Sequence, residues 1–206
     1  MFWGCSSLSN IDALKNWNTG NVTRMSSMFA YCYSLSNIDA LKNWNTGNVT
    51  SMDSMFSSCS SLSNLNGLKT WNTQNVTNMS NMFFDCSSLS NIDALKNWNT
   101  QNVTDMFQLF AGCNSLSNLN GLKTWNTQNV TDMRYMFQGC SSLMTVGLSD
   151  TNKNIISWLP TNETSTLSFK YHKVGTTKEY FPSELLQNWN SSFEAVSYTH
   201  LRAHET

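Results

Sequence analysis

Residues 55–81 read MFSSCSSLSNLNGLKTWNTQNVTNMSN, and residues 82–108 read MFFDCSSLSNIDALKNWNTQNVTDMFQ. The second string is the first again after 27 residues, and that repetition decides the fold. Working outward from the pair, cysteine recurs at Cys5, Cys32, Cys59, Cys86, Cys113 and Cys140. Phenylalanine keeps the same beat at Phe2, Phe29, Phe56, Phe83, Phe110 and Phe137, and leucine at Leu8, Leu35, Leu62, Leu89, Leu116 and Leu143. Trp17, Trp44, Trp71, Trp98 and Trp125 form a further column, as do Val22, Val49, Val76, Val103 and Val130. Six copies begin at positions 1, 28, 55, 82, 109 and 136, and the sixth loses the pattern after Leu143. Self-similarity at a fixed period of this size marks a repeat architecture.

A 27-residue unit cannot bury its own apolar face, and stacking neighbours solves that problem. Leu8, Ile11 and Leu14 lie three apart, and a short strand is expected around 10–14. The stretch 16–21 is rich in turn formers. Val22, Met25, Met28 and Phe29 then suit a short helical stretch, with Asn21 or Thr23 as N-cap. The expected fold is a repeat solenoid over 1–149, leucine-rich-repeat-like, with one short strand and one short helical segment per coil. A small non-repeat α+β segment follows over 150–195. The copies also alternate: Ile38-Asp39-Ala40 and Ile92-Asp93-Ala94 share one version, Leu65-Asn66-Gly67 and Leu119-Asn120-Gly121 another. That points to duplication of a two-repeat block.

The chain has 206 residues, a net charge of -1 and only 12% charged residues. Such a surface has no electrostatic reach for phosphate backbones, which argues against nucleic acid and anionic membranes. Asn, Ser and Thr number 28, 30 and 21, yet 8 Trp, 11 Phe and 11 Met need burial, which argues against disorder. The apolar runs are too short for membrane insertion, and no signal peptide is visible.

The repeated columns carry the candidate sites. Phe29, Phe56, Phe83 and Phe110, Cys32, Cys59, Cys86 and Cys113, Leu35, Leu62, Leu89 and Leu116, and Val49, Val76 and Val103 are read as core columns. Leu65, Leu68 and Met79 are expected to join them. For the cysteines the leading reading is a buried, reduced thiol. Disulfides between adjacent coils stay open as a reading, since neighbouring Cα atoms would lie within bridging range. Metal binding is weaker, because no His accompanies any Cys. Trp44, Trp71 and Trp98 invite stacking on a sugar, against a core or edge ladder as the plainer reading. Lys42, Lys69 and Lys96, with Lys15 and Lys123, are candidate ligand-facing cations, against a solvated stripe. The Asn columns at 18 and 21 are read as bonding loop backbone or stacking into amide ladders. No catalytic, cofactor-binding or metal-ligating residue is assigned. His172 is the only His outside the last few residues, and no Ser-His-Asp or Cys-His pattern appears. Asp12, Asp39 and Asp93 become Asn in two copies, so calcium finds no ladder of carboxylates.

The motif Met-Phe-x-x-Cys-Ser-Ser-Leu, followed by Trp-Asn-Thr-x-Asn-Val-Thr-x-Met, resembles a bacterial surface-protein and lipoprotein repeat of roughly 26 residues. That repeat is related to the BspA-like leucine-rich-repeat proteins. The resemblance covers residues 1 to about 148, with one extra residue per unit here. It implies a secreted or surface-anchored bacterial protein engaged in adhesion, and it transfers no catalytic residue. The stretch 179–193 is similar to segments that follow such repeats in Gram-positive surface proteins. Residues 196–206 resemble one reading frame of a sequencing adapter, so the gene is expected to be truncated there.

Two functions are therefore expected of the array. One is an adhesion module for a host or matrix glycan or glycoprotein, engaged by Asn, Thr and Lys. The other is a structural spacer of a cell-wall protein. Near-identical coils favour the spacer, because a selective protein-binding face varies from copy to copy. In the non-repeat part, 155–159 and 166–174 are expected as strands, and Ser183 as the cap of a helix through Trp189.

Overall fold

The computed structural model describes residues 1–117, 119–122 and 124–144, and beyond them the backbone of strands at 169–173, 179–180 and 193–197. Within 1–144, short 3-10 helices recur at the repeat spacing: η1 (Asp12–Leu14), η2 (Asp39–Asn43), η3 (Asn66–Leu68), η4 (Asp93–Asn97) and η5 (Asn120–Leu122). A single turn of α-helix, α1 (Ser141–Met144), follows.

Local chemistry starts each 3-10 helix. The side-chain oxygen of Asn10 accepts the Asp12 amide at 2.7 Å, and Asn37, Asn64 and Asn91 do the same in their units. This Asx turn bends the chain before an extended segment can form. The strand expected at 10–14 is therefore a 3-10 turn over most of its length. One parallel bridge, Asn64 to Asn91, survives at its start.

The helical stretch expected over 22–29 is also replaced. Residue 24 of each unit forms a parallel bridge to the next unit, in the series Arg24, Ser51, Asn78, Asp105 and Asp132. The amides then divide their labour. Those of Met25, Ser27, Phe29 and Tyr31 donate to carbonyls of the following unit at 2.8–2.9 Å. Those of Met28, Ala30 and Cys32 close turns on the carbonyl three residues back at 3.1–3.3 Å. A helix would claim every amide for itself, and here half are claimed by a neighbour. Two left-handed residues per unit make the bends. One series is Ser27, Ser54, Asn81, Gln108 and Tyr135; the other is Gly4, Tyr31, Ser58, Asp85, Gly112 and Gly139.

This zigzag sends Met25, Phe29 and Cys32 inward and residues 24, 26, 31 and 33 to the other side, where some equivalents, among them Ser51, Ser58 and Ser80, are covered by their neighbours. The interior is one continuous apolar cluster in which Phe56, Cys59, Leu62, Leu65, Leu68, Val76 and Met79 are all buried. Phenylalanine rings stack from Phe2 through Phe137 with centroids 5.4–5.9 Å apart and planes within 8°. This spacing lies within the favourable offset-stacked range.

Past the repeats, β1 (Phe169–Lys173) pairs antiparallel with both β2 (Glu179–Tyr180) and β3 (Phe193–Ser197), giving the order β2-β1-β3. Strand β1 lies inside the expected 166–174 strand, and β3 runs across position 195. The strand expected at 155–159 and the helix from Ser183 to Trp189 lie outside the described residues.

Candidate interaction face

The columns offered to a ligand by the sequence sort into spent and free groups. Trp44, Trp71 and Trp98 are buried, 3–4% exposed, and are not open to a sugar. Each indole Nε1 donates to a leucine carbonyl of the preceding unit, Trp44 to Leu14, Trp71 to Leu41 and Trp98 to Leu68, at 3.0–3.1 Å. Stacking on the neighbouring indole, 6.4 Å from Trp44 to Trp71, completes a dry ladder with its polar atom satisfied.

The amide and hydroxyl columns are spent as well. Asn48, Asn75, Asn102 and Asn129 donate Nδ2 to backbone carbonyls one unit back at 2.7–2.8 Å. Asn45, Asn72 and Asn99 accept a backbone amide two residues on at 3.0–3.1 Å. Thr46, Thr73 and Thr100 are buried and donate across to the next unit. These side chains replace backbone partners along the coil edge, so the invariant Asn and Thr positions are mortar between coils. Lys15, Lys42, Lys69 and Lys96 remain exposed, while Lys123 lies outside the described residues.

The cysteines are free thiols, exposed at Cys5 and buried at the other five positions. Each buried Sγ–H donates to the phenylalanine carbonyl of the preceding unit, Cys59 to Phe29 at 3.2 Å and Cys86 to Phe56 at 3.1 Å. Burial, with a smaller contribution from the neighbouring thiol, pushes Cys59 up to about 12, and burial pushes Cys140 to about the same value. A thiol so hard to ionise is inert as a nucleophile. Among the described residues no three His, Cys, Asp or Glu side chains are placed to hold a metal, and no helix is long and apolar enough to cross a membrane.

What stays free is a strip that the sequence reading missed. Aligned at the 27-residue period, the units differ mainly on the 3-10 segment and along the zigzag. Where one zigzag has Arg24, Ser27, Tyr31 and Tyr33, the zigzag two coils further on has Asn78, Asn81, Asp85 and Ser87. The inward Met, Phe and Cys between them scarcely change. Three of the six exposed large apolar side chains among the described residues, Tyr31, Tyr33 and Tyr135, stand on this strip, and a fourth, Trp3, packs against Tyr31 beside it. Comparing copies position by position would have found it, once inward and outward residues were told apart.

The family profile described as DUF285, Mycoplasma protein of unknown function, matches residues 1–94 and 87–195. The chain belongs to the DUF285 family. This is a bacterial repeat family, and its two adjacent matches take in the non-repeat stretch through residue 195. No curated protein and no solved structure matches this DUF285 chain.

The strip of this DUF285 array has two aromatic knots. In the first, Trp3 meets Tyr31 edge-on at 5.7 Å and Tyr31 meets Tyr33 edge-on at 6.3 Å. In the second, Phe107 meets Tyr135 edge-on at 5.9 Å, and the Arg134 guanidinium sits 5.4 Å over the Phe107 ring. Arg134 also holds Asp132 in a 2.6 Å ion pair, and hydrogen bonding from Arg134 keeps the Asp132 carboxyl below its ordinary value. Between the knots stand serines, Asn78, Asn81, the carboxylates Asp53, Asp85 and Asp105, and the half-buried Phe84. Ser51, Ser57, Ser58 and Ser80 are buried, Asp53 accepts from Ser26 and Ser51, and burial lifts the Asp85 carboxyl above its ordinary value.

Proposed function

We propose that this chain is the interaction module of a bacterial cell-surface protein. In this reading it is a solenoid of the BspA-like, leucine-rich-repeat kind that engages a host or matrix glycan or glycoprotein. One observation carries the proposal: exposed differences between units gather on a strip that also bears most of the exposed aromatic side chains. A face that only has to be soluble has no use for Trp3, Tyr31 and Tyr33 together in the open, whereas such side chains are the usual anchors of protein recognition. The invariant Asn and Thr columns, spent on coil stacking, are ascribed no binding role.

The alternative is a spacer that lifts another domain away from the cell wall. It draws on the other half of the same comparison, since the buried columns and the mortar between coils are nearly identical from unit to unit. The full chain probed on an array of glycans and matrix proteins separates the two. Saturable binding that Tyr31→Ser and Tyr33→Ser weaken supports the interaction module. A blank array, with the chain folded, leaves the spacer.

A further inference from the structure

We infer that the strip receives a basic, extended segment of a partner protein, anchored on the Trp3–Tyr31–Tyr33 knot and neutralised by the carboxylates beyond it. The inference rests on the reading of the chain as an interaction module and names the chemistry of its partner.

The anchor comes first. Trp3, Tyr31 and Tyr33 are 65%, 40% and 47% exposed and meet edge to face. Each edge-to-face contact covers only one face of one ring, and the faces left open attract cations as well as apolar groups. The left-handed backbone at Tyr31 also bonds into the next unit, its amide donating to Ser57 at 2.8 Å. This anchor therefore sits on a fixed support, which lowers the ordering cost of binding.

The sign of the partner comes from the carboxylates. Among the described residues Asp53, Asp85 and Asp105 form no ion pair, and Arg134 is committed to Asp132. Arg24, at the first coil, is the remaining cation on the strip positions. The lysine column stands at the 3-10 helices, elsewhere on the coil. A strip of this charge repels acidic glycans and attracts Lys and Arg, which steers association and suppresses wrong partners.

The span comes from the coil spacing. From the first knot to the second is three coil steps, about 15 Å for neighbours near strand distance, or roughly four to five residues of extended chain. The small serines of the third unit form the floor between. A segment lying along the strip would place one apolar or aromatic side chain at the first knot, basic side chains over Asp53, Asp85 and Asp105, and a second apolar side chain against Phe107 and Tyr135.

Selection of a phage-displayed random dodecapeptide library on the full chain tests this. Enriched peptides should carry two or more Lys or Arg between apolar anchors four to five residues apart. Their synthetic forms should lose tenfold or more in affinity on the Tyr31→Ser/Tyr33→Ser double variant. The Asp85→Asn/Asp105→Asn variant keeps both side-chain acceptors, and there the loss should be several-fold with a shallower salt dependence. Lys69→Ala should bind as the parent does, and thermal midpoints check that each variant is folded. Failure to enrich, enrichment of acidic or neutral peptides, or affinity indifferent to the strip would overturn the inference. So would strip variants that abolish binding of neutral oligosaccharides while leaving peptides untouched. A positive glycan or matrix-protein array with a failed peptide selection would sink this inference and leave the proposed function standing.

Discussion

The contacts between η2 and η3 and those between η3 and η4 join near-identical units in different ways. Where a unit carrying Gly follows one carrying Ala, the chains close in. A Cβ on Gly67 would lie 2.0 Å from the Ile38 carbonyl oxygen, and one on Gly121 would lie 1.9 Å from that of Ile92. Both glycine units add a threonine hydroxyl to the seam, Thr70 donating to Lys42 at 2.6 Å and Thr124 to Lys96. Where the Ala94 unit follows the Gly67 unit, the seam instead carries the Asn64–Asn91 bridge. The first and second units, both with Ala, meet without a glycine. The upper unit thus chooses the seam, and the exchange of Ala for Gly is read out as distance between backbones. The alternation seen in the sequence as a mark of duplication is also an alternation of packing.

The largest expected effect tests what both seams share. The buried thiols cross every seam alike, and burial holds Cys59 near 12 in the folded chain against an ordinary value of 9.0. The folded state favours the protonated thiol, so its stabilisation is complete below pH ~9 and is lost as pH rises toward ~12. Chemical-denaturation midpoints should fall steadily across that window, and Cys59→Ala should flatten the slope. A midpoint as steep in the variant as in the parent would assign the loss to other groups. Next is Phe83→Ala. Phe83 stacks between Phe56 at 5.9 Å and Phe110 at 5.5 Å, one contact at each kind of seam. Its removal should cost ~3–5 kcal/mol by denaturant titration. A much smaller cost would mean that the ring ladder tolerates a gap.

The comparison itself is broken or sharpened by exchanging its residues. Gly67→Ala forces a methyl into the Ile38 carbonyl and should cost about 3 kcal/mol. Ala94→Gly, at the looser seam, should cost only about 0.5–1 kcal/mol, the ordinary price of a glycine. Equal costs in the two variants would show that the seams are equivalent. The smallest expected effect is that of Thr70→Val, which keeps the shape and removes the hydroxyl donated to Lys42. About 1 kcal/mol should be lost at this seam, and no change in midpoint would reduce that hydrogen bond to a bystander.

The buried columns were legible because burial in a stack forces the same residue type at the same position in every coil. Phe56, Cys59 and Val76 needed only the period to be found. The local backbone was harder to read. Leu8, Ile11 and Leu14 lie three apart, which is also the period of a 3-10 helix, and spacing alone does not separate that turn from a coiled edge. The left-handed positions were only half visible: Gly4, Gly112 and Gly139 mark one column, but Tyr31, Ser58 and Asp85 fill it in the other copies and mask the bend. Repeat periodicity read from Val22, Met25, Met28 and Phe29 mimicked a helix, since the zigzag turns its inward residues to one side by another route. The aromatic strip escaped for a different reason: its signal is variation between copies, and attention to the invariant columns passed over it.

The divided amides have a consequence for how the array comes apart. A coil taken alone keeps the turns closed by Met28, Ala30 and Cys32 and forfeits the bonds that Met25, Ser27, Phe29 and Tyr31 send to the next coil. Half of its outer edge would be left to water. No coil is then a nucleus by itself, and each new coil that docks completes the one before it, as in a zipper. Opening should therefore travel along the array a seam at a time. The tight seams at Gly67 and Gly121 would act as the catches that hold it.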